Sequence, residues 1–300
     1  MGGSRPGLRA TAPGPTMRSM RVPGAGRLAG LSPRRRIFVA GSSLAVAALA
    51  VTAGLNGAGA FAGPAPRPSP ASPGVAVLVP GYGGSTTSLD VLADRIRSTG
   101  RAAVVVRLPG NGTGDLAAQA VILNGYVTRA LRGGQGPVDV IGFSAGGVVT
   151  RLWDAQDGGA RKADRIITLG SPLNGTRIAA AGNAAVPAAC PVACQELVPG
   201  SRLLSQLRKI PLTRRPGWLS LWTTDDQVVR PPDSARLAGA VNVPLQAVCP
   251  HAVITHGQLP SDPLVIGIVL SSLGPGPLTA PTGQECQVLR ALGSRQGLSP

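Results

Sequence analysis

From Val75 onward, short apolar runs rich in Val and Ile alternate with longer segments whose apolar residues recur at helical spacing. Runs of the first kind cover Val75 to Val79, Ala102 to Leu108, Val138 to Phe143, Arg165 to Leu169, Leu219 to Thr223 and Val241 to Val248. Near-continuous apolar runs are what a strand shows when both of its faces are covered, so they predict a mostly parallel sheet of about six strands. Between them Leu89, Leu92, Ala93 and Ile96 fall on one helical face, and Leu116, Ala120, Leu123, Val127 and Leu131 on another. Further helices are expected after Ser144 and across Pro263 to Leu273. The expected class is therefore α/β, with helices on both faces of the sheet. In that architecture reactive groups collect in loops at the carboxyl ends of strands.

Composition separates this body from what precedes it. Gly and Pro supply 23 of the first 74 residues, a density that does not support a packed core. Arg34, Arg35 and Arg36 border a stretch, residues 37 to 62, without a single charge, most apolar from Leu44 to Leu55. About twelve apolar residues suit an export signal better than a span, which needs about twenty. Ala60-Phe61-Ala62 offers a cleavage pattern before Gly63, and Arg35-Arg36-Ile37-Phe38-Val39 resembles a twin-arginine motif. We expect residues 1–62 to be an export signal, with an uncleaved anchor on the outer membrane side as the alternative, and Met17 or Met20 to be candidate starts. Residues 63–74, with five prolines, read as an extended linker, and 75–300 as the folded domain.

The net charge of +16 first suggests nucleic acid. Eight arginines precede residue 37, however, and without residues 1–62 the balance falls to 21 basic against 13 acidic residues. No basic run is interleaved with aromatics, so no nucleic-acid partner is expected.

Candidate chemistry sits after the third apolar run, at Gly142-Phe143-Ser144-Ala145-Gly146. Gly-x-Ser-x-Gly alone is a weak signal in a chain with 42 glycines. Here it joins an apolar run to a helical segment, which is the strand, tight turn and helix that a nucleophile elbow needs. A serine hydroxyl requires a base. The chain has two histidines, His251 and His256, both after the last strand. His256 is preferred, because it lies just before the final predicted helix, and His251 reads as a loop residue. The acid that orients an imidazole is expected at the end of the preceding strand, where Asp225 and Asp226 adjoin. Adjacent residues point apart, so Asp226 is preferred and Asp225 taken as its solvated neighbour. Asp154, Asp157 and Asp164 read as surface residues. Backbone N–H groups of Tyr82, in Pro80-Gly81-Tyr82-Gly83-Gly84, and of Ala145 are the expected oxyanion donors.

With these residues in place, Val75 to about Leu273 resembles the α/β-hydrolase superfamily, and within it the small secreted lipases of actinomycete type. The matching segments are Val77 to Gly84, Gly142 to Gly147, Gly170-Ser171-Pro172-Leu173-Asn174-Gly175-Thr176, the strand ending at Asp226, and the Cys249 to His256 loop. The resemblance implies a minimal fold lacking the first two strands, a Ser144, Asp226 and His256 triad, and hydrolysis of lipid esters. Pro80 stands where such lipases usually carry His.

Four cysteines in an exported chain allow three pairings, and proximity favours Cys190 with Cys194 and Cys249 with Cys286. A zinc site from Cys and the two His is an alternative with non-standard spacing. The Ala-rich segment Asn174 to Pro199 is long for an α/β connection and is expected either to line or cover the acyl pocket or to be a surface excursion. The reading is a secreted, monomeric carboxylic ester hydrolase, a lipase or esterase, acting on lipid or ester substrates without metal or organic cofactor. Acyl transfer, polyester or thioester cleavage on the same triad, and a non-catalytic binding module on the same scaffold, are the alternatives.

Overall fold

A computed structural model describes residues 74–133, 136–274 and 276–294. The signal assigned to 1–62 and nearly all of the 63–74 linker lie outside these residues. Within them, six strands form one sheet: β1 (Ala76–Val79), β2 (Ala103–Val105), β3 (Val138–Phe143), β4 (Ala163–Leu169), β5 (Gly217–Trp222) and β6 (Val241–Pro244). Their order is β2-β1-β3-β4-β5-β6, and every neighbouring pair is parallel. The main helices are α1 (Thr87–Arg97), α2 (Leu116–Arg132), α3 (Ala145–Asp157), α4 (Arg177–Ala185), α5 (Arg202–Arg208), α6 (Pro263–Ser272) and α7 (Cys286–Ser294). Among the described residues no helix is long and apolar enough to cross a membrane.

Strand alternation divides the interior into two cores. Ala76, Leu78, Ile141, Ile167, Leu169, Leu219 and Leu221 face α1, α6 and α7. Val77, Val79, Val138, Val140, Ile166 and Trp218 face α2, α3 and α5. Because both faces are covered, the strands read as unbroken apolar runs. All four α1 residues expected to be buried are fully buried. On α2 the same holds for Leu116, Ala120, Leu123 and Val127, while Leu131, in the last turn, is only partly covered.

Two strands are shorter than their apolar runs. β2 retains three residues, although Val106 N–H still donates to the Leu78 carbonyl at 2.8 Å, before Pro109 opens a tight turn. β6 ends at Pro244, and Leu245–Val248 instead forms a short helical turn. Proline has no N–H for a ladder and is tolerated here because β6 is an edge strand.

One polar cluster sits inside the sheet. Asp139 on β3 is almost completely buried and pairs with Arg101, whose guanidinium also donates to the carbonyls of Gly74 at 2.7 Å and Leu273 at 3.1 Å. That arginine thus ties the first described residue, a central strand and the end of α6 together. One Asp139 carboxylate oxygen has no hydrogen-bond partner among the described residues, and burial pushes the Asp139 pKa up to about 6 against the pull of Arg101. Asp154 corrects its reading as a surface residue. Its side chain is buried, 3.6 Å from Arg151 one turn earlier on α3, and burial raises its pKa above the usual carboxylate range. The other two aspartates read with it are half-buried (Asp157) and exposed (Asp164).

Candidate active site

The chain runs from β1 outward to β2 and returns to the other side of β1 as β3. This reversal opens a crevice at the carboxyl ends of β1 and β3, the position where open α/β sheets bind ligands. Ser144 occupies it, between β3 and α3, with φ 53° and ψ −127°. Positive φ is costly for a residue with a side chain and persists only where the surroundings enforce it. Here Ser144 N–H donates to the Leu169 carbonyl on β4 at 2.9 Å, and its own carbonyl accepts from Gly147 N–H at 3.0 Å. The flanking glycine is required by space: a Cβ on Gly142 would lie 2.6 Å from the Gly147 Cα.

His256 arrives from 112 residues away. Its Nε2 lies 2.9 Å from Ser144 Oγ, and its Nδ1 lies 2.7 Å from Asp226 Oδ2. The imidazole is presented by a short turn (His256–Gln258) closed by a capping box, in which Gln258 Oε1 accepts from Thr255 N–H at 2.9 Å. His256 N–H donates to Gln227 Oε1 at 3.2 Å, and the Phe143 ring packs 5.0 Å from the imidazole centroid. The disulfide between Cys249 and Cys286 joins the loop leading to His256 to the first residue of α7.

Asp226 is fully buried, just beyond β5. Its second oxygen accepts from Val228 N–H at 2.9 Å and Val229 N–H at 2.7 Å, which fixes the carboxylate plane. Asp225 is exposed, its carboxylate accepting from Gln246 Nε2 at 3.3 Å, and His251 is exposed. The structure therefore separates both pairs of alternatives: Asp226 and His256 converge on Ser144, and Asp225 and His251 do not.

The segments carrying the two expected oxyanion donors both adjoin the serine. Ala145 is the first residue of α3, so its N–H has no acceptor within the helix. The loop after β1 approaches so closely that a Cβ on Gly81 would stand 2.8 Å from the Ser144 Cβ, and Tyr82 follows directly. Pro80 is buried beneath this loop. The Gly81 carbonyl accepts from Gly84 N–H at 3.0 Å, and this turn gives the loop support that does not depend on the residue at position 80.

Both disulfides follow the expected pairing, Cys190 with Cys194 and Cys249 with Cys286. All four thiols are thus engaged, which overturns the zinc alternative for the cysteines. The segment from Asn174 to Pro199 contains α4, and its backbone is held at both ends. Arg177 N–H donates to the Arg230 carbonyl at 2.8 Å, and Ala193 N–H to the Thr113 carbonyl at 3.1 Å. Glu196 accepts from Leu116 N–H at 2.8 Å, the start of α2, and burial raises the pKa of this glutamate. Sequence reasoning had not singled out Gln227, Gln258 or Glu196. Gln258 alone carried a signal, the Thr-x-x-Gln spacing of a capping box.

No family model matches the chain, and no curated protein matches it. Solved structures do. Lipase B of Aspergillus fumigatus superposes with a TM-score of 0.59 at 18% identity, over 74% of this chain and 56% of that one. The mature form of the Bacillus licheniformis lipase BlEst2 superposes with a TM-score of 0.50 at 18% identity, over 60% of this chain and 86% of that one. This chain thus spans little more than half the length of the Aspergillus enzyme. The six-stranded parallel sheet, its flanking helices and these neighbours together define an α/β-hydrolase fold.

Proposed function

We propose that the protein is an exported serine hydrolase that cleaves carboxylic esters of lipids through an acyl-enzyme on Ser144. The observation that carries this reading is the continuous relay Ser144 Oγ, His256 Nε2, His256 Nδ1, Asp226 Oδ2, with links of 2.9 and 2.7 Å. With the proton on Nδ1, donated to Asp226, the free Nε2 lone pair faces the serine hydroxyl. Ser144 Oγ attacks the ester carbonyl while Nε2 accepts its proton, and Asp226 stabilises the resulting imidazolium. Negative charge on the former carbonyl oxygen is taken by the Tyr82 and Ala145 N–H groups, helped by the positive end of α3. The imidazolium then gives its proton to the leaving alkoxide. Water, deprotonated by the same nitrogen, attacks the acyl-enzyme; the bond from the acyl carbon to Ser144 Oγ then breaks, the imidazolium returns its proton to Oγ, and the acid leaves.

A lipid substrate is supported by exposed apolar residues in the segments that follow the strands of this sheet. Tyr82 after β1, Ile178 at the start of α4, Val228 beside Asp226 and Val253 before His256 are all exposed. They lie in segments that follow four different strands, and Val253 is 82% exposed. Exposed apolar side chains on segments near a reactive centre, such as Tyr82 after Gly81 and Val228 beside Asp226, favour an apolar substrate over water. Export is supported by the two disulfides, which persist in oxidising compartments.

Hydrolysis of p-nitrophenyl esters of graded chain length by wild type and Ser144→Ala tests the reading. The account predicts that wild type turns over and that the variant loses roughly 10⁴-fold or more in kcat. Equal rates in the two would overturn it. A profile rising with chain length assigns a lipase, and one falling with it an esterase.

A further inference from the structure

A cavity of about 490 Å³ lies on the face of the sheet that carries α3 and α5. Its volume falls within the range of small-ligand sites, about 300–1,000 Å³. Its wall is apolar, with Val148, Leu173, Leu207 and Leu237, while three arginines border it, Arg151, Arg208 and Arg236, against a single acid, Asp233. None of Ser144, His256 and Tyr82 lines it.

The charges are not equivalent. Arg151 is almost completely buried, and its guanidinium is already held by the Ile210 carbonyl, by Asp154 and by the Trp218 ring, 5.9 Å away. Arg208 and Arg236 are exposed at the edge, and Arg236 lies over the Trp222 ring at 5.4 Å. The part of the wall from Asp233 to Asn242 is pinned. Asn174 Nδ2 donates to the carbonyls of Ser234 at 2.9 Å and Arg236 at 2.8 Å, and Asn242 Nδ2 to those of Leu237 and Ala240 at 2.8 and 2.9 Å. A cavity whose wall is fixed before binding costs little ordering when filled.

We propose that this cavity binds a single-chain anionic amphiphile, a fatty-acid carboxylate, with the alkyl chain against the apolar wall and the head group between Arg208 and Arg236. Apolar wall and unbalanced positive edge select both halves of such a molecule at once: a neutral alcohol of equal length lacks the ion pairing, and a short carboxylate lacks the burial. The site is independent of the reaction proposed for Ser144. If that reaction holds, its acid product belongs to the same chemical class, and the cavity is a second place for it.

Calorimetric titration of Ser144→Ala with dodecanoate below its micellar concentration is the test, with dodecan-1-ol and acetate as comparisons. One saturable site for dodecanoate is expected, at least about tenfold weaker binding of the alcohol, and no binding of acetate. Arg208→Glu combined with Arg236→Glu lowers the affinity by at least about tenfold, Leu237→Trp blocks the cavity, and Asp233→Asn tightens binding. Should the charge-reversed variant fail to fold, the gain on Asp233→Asn still decides the matter. Absence of saturable binding, equal affinity for the alcohol, or an affinity that neither Leu237→Trp nor Asp233→Asn moves would each overturn the proposal. The last of these would put the ligand in the Ser144 crevice instead. The outcome does not depend on ester hydrolysis, since the nucleophile is absent throughout.

Discussion

Ser144 keeps a backbone conformation that side chains avoid because strand β4, the turn into α3 and the loop after β1 close on it from three sides. The last approach bears directly on the serine side chain, which makes Gly81 a sensitive position. Gly81→Ala would place a methyl 2.8 Å from the Ser144 Cβ and 3.2 Å from the Phe143 carbonyl. Backbone on both sides must then shift. We expect kcat for an activated ester to fall about 10²-fold, since misplacing reacting groups by an ångström costs that much, with far-UV circular dichroism unchanged. Unaltered turnover would mean that the loop is not part of the reactive geometry. At this scale much was legible, because a tight turn that needs Gly, Ser and Gly, and only two histidines to choose from, leave few solutions. Asp154 was not legible in the same way. An aspartate three residues after Arg151 reads as a surface pair, and nothing local says that α3 turns this pair inward against Trp218.

Among the elements, the loop carrying His256 depends on contacts distant in sequence. Its first turn is joined to α7 through Cys249 and Cys286, 37 residues apart. Closing a loop of that length restricts the unfolded chain and contributes about 3–4 kcal/mol. Paired replacement of both cysteines by alanine should lower Tm by roughly 6–16 °C in a domain of this size, measured by calorimetry. A shift within error would show that packing alone holds the loop. Strand lengths illustrate where local pattern stops being informative. The apolar run that became β6 includes Pro244, the residue that ends it, so that boundary was written in the chain. For β2 the run from Ala102 to Leu108 keeps an apolar character that ladder pairing does not use beyond Val105, except for the single bond from Val106. Length there is set by β1, its four-residue partner, not by propensity.

Over the whole molecule, two cores share one sheet, and Arg101 with Asp139 is the polar tie through it. Burial raises the Asp139 pKa from 3.8 to about 6, so the folded state retains a proton that the unfolded chain has already released. That contribution to stability is present below about pH 4 and is lost as pH rises to about 6. Asp139→Asn should therefore flatten this segment of the Tm profile. Arg101→Met leaves the ionised Asp139 buried without its cation and should cost about 3–5 kcal/mol at pH 7, and less at pH 4, where the carboxyl is neutral. A wild-type profile already flat between pH 4 and 6 would contradict this assignment. The sequence pattern alone did not reveal the tie, because a charge inside an apolar strand gains meaning only with its partner, 38 residues away. The central claim concerns another long-range meeting, that of Ser144, His256 and Asp226, and its most direct test is covalent. Purified protein treated with a serine-directed fluorophosphonate is analysed by peptide mass spectrometry, beside His256→Ala. The account predicts one adduct per chain, on Ser144, and its near-complete loss in the variant. Folded wild type that takes no label, or takes it at another residue, would contradict the account.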